Sequence, residues 1–433
     1  MPHSSRMLRL LVACLVLSGV VAAAAGGGSS PAGAEGLAFW PQWRGPLGIG
    51  VAPHANPPLE WGPSTNVAWK VTLPGIGKSS PIVWKDRVYL TTAVPGTQGA
   101  AGPVDFTVLA FERATGGEVW RKVVRSEVPH EGTHRDGTYA SGSALTDGQR
   151  LYAYFGSRGL YAMDFAGTVL WEKDFGDMQT RNGFGEGNSP ALHDGTLVVI
   201  WDHEGDDFVV ALDAATGQER WRRERDEPTT WATPLIVSHD GRSQVIVNGT
   251  NKVIAYDLAS GDTIWETGGT TMNVIPSPVA GDGMVYAMAG FRGNMLRAIK
   301  LGDAKGELNG PPGEAWTYER DTPYVPSPLL YQGKLYFLKS NSGILTCLDA
   351  ATGTVHYTSR LEEAPNVYAS PVAAEGRIYI VGREGTTVVL KAGPEFQVLA
   401  TNALGEPTDA SPALVETQIY LRTSQHLYRI QGS

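Results

Sequence analysis

Cysteine is nearly missing from this chain: its 433 residues hold only Cys14 and Cys347. No vicinal pair exists, and a disulfide framework of the kind that staples small secreted domains is excluded. Charge is scarce as well. Charged residues make up 18% of the chain, against about 25% in an average soluble protein. Lys and Arg total 35 against 44 Asp and Glu, for a net charge of −9. With no run of Lys or Arg, the electrostatic footprint of a nucleic-acid or anionic-membrane binder is absent, and soluble partners are favoured. Beyond the N-terminus no apolar stretch is long enough to span a bilayer. No G-x-S-x-G nucleophile elbow occurs. Gly77-Lys78-Ser79 ends like a P-loop, but Thr72 stands where its first glycine belongs. Gly183-Phe184-Gly185-Glu186-Gly187 lacks the spacing and the following helix of a dinucleotide loop.

Glycine and proline are plentiful instead, at 53 and 28 residues, as suits a folded chain with many tight turns. Arg6 and Arg9 flank an apolar stretch from Leu8 to Ala25 that ends in Ala22-Ala23-Ala24-Ala25. This is the pattern of a secretory signal over 1–25. It implies export, to the periplasm or the outer membrane. Leu11-Val12-Ala13-Cys14 is similar to a lipobox, but Leu15-Val16-Leu17 follows where a lipoprotein needs a polar start, so no lipid anchor at Cys14 is expected. Residues 26–39, opening on Gly26-Gly27-Gly28-Ser29-Ser30, read as a flexible linker. Residues 40–433 read as one domain, a monomer without a transmembrane segment.

That domain is repetitive. A Ser/Thr-Pro step followed by apolar residues recurs at Ser80, Ser189, Thr233, Ser277, Ser327, Ser370 and Ser411, and Ser143-Ala144 is a copy without the proline. The mean period is about 47 residues, within the range of propeller blades and helical solenoids. Local pattern decides between them. Turns such as Asp194-Gly195 and Asp282-Gly283 separate short apolar runs such as Val88-Tyr89-Leu90 and Ile378-Tyr379-Ile380, a hairpin signature. A third run, as in Val209 to Asp213, leads through Ala214-Ala215-Thr216-Gly217 to a fourth ending at Trp221. The same ending recurs at Trp120, Trp171, Trp265 and Trp316. Four antiparallel strands per repeat make a propeller blade, so the fold class is all-β, an eight-bladed β-propeller. The last repeat stops after a third strand at Ile430, whereas Val67-Ala68-Trp69-Lys70 precedes the first as an orphan fourth strand. Pairing the two closes the ring and removes its free edges. Trp69, Trp120, Trp171, Trp221, Trp265 and Trp316 are expected as structural aromatics between blades.

The units Ala211-Leu212-Asp213-Ala214-Ala215-Thr216-Gly217-Gln218-Glu219-Arg220-Trp221 and Cys347-Leu348-Asp349-Ala350-Ala351-Thr352-Gly353 resemble the repeat of pyrroloquinoline-quinone (PQQ) propellers. From about Trp40 to Gly432 the chain resembles the PQQ-binding-like β-propeller repeat proteins, relatives of the outer-membrane assembly factor BamB. Trp40-Pro41-Gln42-Trp43-Arg44-Gly45-Pro46 is similar to their opening signature. The resemblance implies an exported, non-catalytic binding or scaffolding protein, BamB-like in outer-membrane protein assembly, whose partner is a periplasmic or outer-membrane protein or a polysaccharide. The alternative it implies is a PQQ-dependent periplasmic dehydrogenase with PQQ and calcium. That alternative requires a vicinal cysteine pair, which Cys14 and Cys347 cannot form, so no cofactor and no catalytic residue are expected.

Local motifs add little chemistry. His130-Glu131-Gly132-Thr133-His134 matches H-E-x-x-H, which requires both imidazoles on one helix face. Pro129, Gly132 and Asp136-Gly137 break such a helix, so a loop without zinc is expected, its histidines facing solvent or each other's backbone. Asp202-His203-Glu204-Gly205-Asp206-Asp207 offers carboxylates but not the spacing of a calcium loop. Strand direction is more informative. If each Ser-Pro strand runs from face one to face two, then turns between second and third strands and links between blades meet on face one. The first set includes Arg158, Asp202, His203, Asn251, Lys252, Arg292, Lys339, Asn341, Arg383 and Glu384. The second includes Tyr139, Arg181, Trp231, Asn273, Tyr324, Tyr368 and Asp409. Arg and aromatic side chains at one channel mouth suit a polar ligand or a peptide.

Overall fold

In the computed structural model, which describes residues 30–96 and 102–432, eight sheets surround a central channel. The expected signal segment lies outside the described residues. Within the segment expected as a linker, Gly33–Gly36 forms one helical turn, and Phe39 packs edge-on against Trp84.

Blade 3 shows how sequence becomes strand. Its order is Ala191–His193, Thr196–Trp201, Phe208–Asp213 and Glu219–Glu224, each antiparallel to the next. The second and third strands are apolar because neighbouring blades cover both their faces. Glu219–Glu224 lies outermost and exposes its charged residues around buried Trp221. It runs three residues beyond Trp221, where the sequence pattern ended it, because Arg222 and Glu224 sit on the solvated edge and carry no apolar signal. Blade 4 gains a fifth, parallel strand, Gly306–Glu307, from an insertion within blade 5.

The ring closes as expected. Val67–Thr72 pairs antiparallel with His426–Gln431, with Lys70 opposite Tyr428 and Thr72 opposite His426. In every blade the pairing of third and fourth strands skips one residue just before the tryptophan position: Ala211 faces Trp221, but Leu212 faces Glu219. The same bulge precedes Trp69, Trp120, Trp171, Trp265, Trp316, Tyr357 and Ala400. A bulge adds twist and re-aims the side chain that follows it.

Five of these indoles pin one blade to the next. Trp69, Trp120, Trp171, Trp221 and Trp316 donate Nε1–H to the carbonyls of Arg113, Phe165, Ala214, Leu258 and Ala351, at 2.9–3.2 Å. Each ring covers a glycine of that turn (Gly116, Gly167, Gly217, Gly261 or Gly353) held at φ between +71° and +89°. A Cβ there would lie 2.6–3.1 Å from the ring, so glycine is required by both backbone and contact. Trp265 departs from the pattern. It bonds Gln244 of its own blade and is fully buried, because the blade 5 insertion supplies Leu301, Ala304 and Leu308 to its apolar cluster.

Candidate binding site in the central channel

The recurring Ser/Thr-Pro step has a physical cause that its spacing alone does not show. Each anchor hydroxyl accepts the backbone N–H of the preceding blade's anchor: Ser80 N–H to Ser143 Oγ, Ser143 to Ser189, Ser189 to Thr233, and onward through Ser277, Ser327, Ser370 and Ser411. Ser411 N–H returns to Ser80 Oγ. All eight bonds measure 2.8–3.0 Å, so a closed hydrogen-bonded hoop lines the channel.

One end of the channel is filled. Residues beyond each anchor lie toward face two, and the segment from Trp40 to Asn56 crosses the ring at that level. Trp40 exchanges both backbone hydrogen bonds with Val83 of blade 1, and Pro41 O accepts from Thr146 N of blade 2. Arg44 Nη2 donates to Pro328 O of blade 6, Gly50 O and Ala52 N bracket Ala373 of blade 7, and Asn56 N donates to Glu416 O of blade 8. Gln42, Trp43, Leu47 and Gly48 pack on the inner strands of blades 3 to 5. The opening signature is therefore a plug, and Trp43 is the floor of a pocket open toward face one.

That pocket has a volume of about 240 Å³. Trp43 and seven anchor residues line its depth, Trp231, Ile275, Tyr324, Val325 and Tyr368 its walls, and Lys78, His134, Asp136, Glu186 and Asp409 its charged side. The charges are largely consumed among themselves. Arg383 Nε lies 2.7 Å from Asp409 Oδ1 and its Nη2 lies 2.9 Å from Asp136 Oδ1, while Lys78 pairs with Asp409. Its guanidinium also stacks 3.8 Å over Tyr368. Burial pushes the Asp136 carboxyl up, but the Arg383 bond and charge, helped by Lys78, outweigh this and hold it below the usual carboxylate range. Because Lys78 precedes blade 1 and Asp136 blade 2, while Arg383 belongs to blade 7 and Asp409 precedes blade 8, this clasp also joins the two ends of the chain beside the closing blade. Glu186 is different. Burial raises its pKa against the bonds from Ser157 N and Oγ.

The profile of the outer membrane protein assembly factor BamB matches residues 61–206, 104–272 and 205–432. The chain belongs to this family. Among solved structures, BamB from Moraxella catarrhalis is 13% identical, with 84% of this chain and 97% of that chain covered and a TM-score of 0.56. A quinohemoprotein alcohol dehydrogenase from Comamonas testosteroni is 12% identical, with 92% and 81% covered and a TM-score of 0.61. A europium-containing methanol dehydrogenase is 10% identical, with 90% of each chain covered and a TM-score of 0.58. At such identities these likenesses establish the propeller alone. No curated protein matches the chain.

In this BamB-family propeller, three of the twelve residues singled out from sequence, Trp231, Tyr324 and Tyr368, line the pocket, and Arg383 sits against Tyr368 at its rim. Trp231 Nε1 donates to Gly185 O at 2.7 Å, and Tyr324 stacks on Phe291 with ring centroids 4.6 Å apart. The Arg292 guanidinium lies over the same Phe291 at 5.4 Å. Tyr139 and Arg158 border a smaller neighbouring void with Glu131 and Glu186. Arg158 is only 3% exposed, held by Glu127, Asp177 and His130. Lys252 and Lys339 are paired with Glu266 and Asp321. Asn251 bonds Asp226 O, Asn341 Oδ1 accepts from Val325 N, and the Arg181 backbone N–H donates to Thr229 Oγ1. Loop topology placed all twelve on face one, but it could not say which side chains reach inward past their neighbours.

The histidine motif is not helical. His134 lines the pocket, and His130 is exposed, in keeping with the expectation that these histidines face solvent, while its ring nitrogens also meet Arg158 and Met178 O. Ligand atoms of His130, Glu131 and Glu186 lie within 4.8 Å of one another, the spacing of a metal triad. The lone pair is nevertheless spent. Arg158 Nη2 donates to His130 Nδ1 at 2.7 Å, so Nε2 carries the proton donated to Met178 O. In the acidic turn, Asp202 pairs with Arg225 inside the protein, Glu204 accepts from Thr229, and Asp207 accepts from Glu227 N. Residues that sequence reasoning missed are Trp43, Lys78, Phe184 and the hydroxyl hoop. The last was signalled by the invariant Ser or Thr at all eight anchors.

Proposed function

We propose that this chain is an exported, non-catalytic propeller that holds a protein partner at the face-one mouth, in a BamB-like role at the outer membrane. The observation that carries the reading is the pocket itself: blind, walled by half-buried Trp231, Tyr324 and Tyr368, with Asp136 and Asp409 already neutralised by Arg383 and Lys78. Aromatic anchors in a concave site are the groups that dominate protein recognition. The one carboxylate–imidazole pair in the lining, Asp136 with His134, is held by Arg383.

The quinoprotein alternative needs free carboxylates for calcium and a thiol pair for PQQ. The residues present do not fit. Asp136 and Asp409 are held by Arg383 and Lys78. Cys347 lies in the third strand of blade 6, where burial pushes its thiol up to about 11. The test is affinity capture from a periplasmic extract with the native chain and with the triple variant Trp231→Ala, Tyr324→Ala, Tyr368→Ala. Partner proteins captured by the native chain should be lost from a variant with native circular dichroism. Full retention of every partner would sink the reading and move function to the blade edges or to face two.

A further inference from the structure

Every hydroxyl of the hoop presents the same hydrogen-bonding sign to the channel. Each oxygen spends a lone pair on a backbone N–H, and among the described residues none of the eight O–H groups donates to a protein acceptor. Six of these serines, together with Thr233, line the pocket, so water or a ligand filling it supplies acceptors for their O–H groups.

The surrounding charge has a sign too. Arg44 is fully buried beside the floor, its guanidinium carbon 5.8 Å from the Trp43 ring. Its Nη2 reaches the carbonyls of Ile49 and Pro328, the latter next to an anchor serine, while Nε and Nη1 have no partner. Arg422 is also buried, at 2% exposed, and donates to Ser79 Oγ and Thr91 O, next to the anchor Ser80. Neither guanidinium has a carboxylate partner among the described residues. Burial without a counter-charge pulls both down to about 9. Two buried cations behind a ring of unspent O–H donors leave a positive potential that a carboxylate or a similar oxyanion relieves.

We propose that the blind end of the channel is an oxyanion site, and that its ligand is an organic carboxylate, either free or carried by the partner that docks at the mouth. This rests on the mouth being a binding site, as argued above. Trp231, Tyr324 and Ile275 offer apolar wall to an organic body, which inorganic phosphate lacks.

Calorimetry on the full chain tests it with matched pairs: benzoate against benzamide for a free acid, and N-acetyl-phenylalanine against its amide for a peptide terminus. Each acid is expected to bind at least about tenfold more tightly than its amide, since charge-assisted hydrogen bonds are roughly twice as strong as neutral ones. The arm that binds more tightly identifies the source. Gly187→Leu fills the pocket, because a Cβ at Gly187 already lies 3.2 Å from Trp231 Cδ1, and it should abolish binding. Should that variant not fold, Thr233→Val removes one hoop hydroxyl and should weaken the acid more than the amide. Equal binding of acid and amide, tighter binding of inorganic phosphate, binding unaffected in the folded pocket variant, or no binding at all would overturn the oxyanion site. Any of these results together with partner capture by the native chain that the triple variant loses would leave the mouth reading standing.

Discussion

Replacing Gly261 with alanine should do damage that removing Trp221 partly repairs. Trp221 is 6% exposed, donates to Leu258 O at 2.9 Å, and covers Gly261. Trp221→Ala should cost about 3–5 kcal/mol for lost burial and the cavity left behind, and about 1 kcal/mol more for the orphaned carbonyl. Gly261→Ala meets two penalties of different kinds. Its φ of +76° costs an alanine about 1–2 kcal/mol. Its Cβ would also lie 2.6 Å from Trp221 Cδ2, an overlap worth about 1–3 kcal/mol if the ring is forced to shift. In the double variant the overlap is gone and only the backbone strain remains. The two changes should therefore sum to about 1–3 kcal/mol less than their separate costs. Urea denaturation of the four proteins at matched m-values measures this coupling. Additivity within about 0.5 kcal/mol would refute the claim that the indole, and not the backbone alone, demands glycine in these turns.

Truncation through Lys70 removes the plug and most of the closing strand, leaving His426–Gln431 with a bare edge; light scattering should show aggregation, and a monodisperse monomer with unchanged melting would count against the closure. Glu406 is pushed up by burial, but bonds from Lys70, Thr423, Tyr428 and His426 outweigh this and bring it down to about 2. Its folded value is thus depressed, so its contribution is complete above the ordinary carboxylate range and is lost as pH falls from about 4.5 toward 2; the melting temperature should drop across that window, and less so in Glu406→Gln. Because Arg158 occupies the His130 lone pair, metal analysis of purified protein should show no zinc that disappears in His130→Ala or His134→Ala.

The blades themselves could be read from order along the chain. Asp-Gly turns, apolar runs and the Ala-Thr-Gly to Trp interval are local, since each reports on hydrogen bonds and burial within a few residues of itself. Closure was also readable, because a missing fourth strand at Ile430 and a spare one at Val67 are complementary facts about the two ends. The site was readable only in part. Trp231, Tyr324 and Tyr368 sit in links between blades whose direction the repeat sets, yet Arg158 lies in a turn of the same face and is buried under ion pairs. No local pattern separates these outcomes, because side-chain direction in a loop depends on the partners it meets.

The sequence by itself determined the number of blades, their strand order, the ring closure and the face on which loops gather, because all of these follow from periodic patterns and chain direction. Only the tertiary structure decided that the opening Trp40 to Asn56 segment plugs the channel, that eight serine or threonine hydroxyls form one hoop, and that Arg44 and Arg422 lie buried beside it without a counter-charge. Those features join residues hundreds of positions apart, 331 from Ser411 N to Ser80 Oγ and 343 from Arg422 Nη1 to Ser79 Oγ. Their energies come from contacts that exist only once the ring has closed.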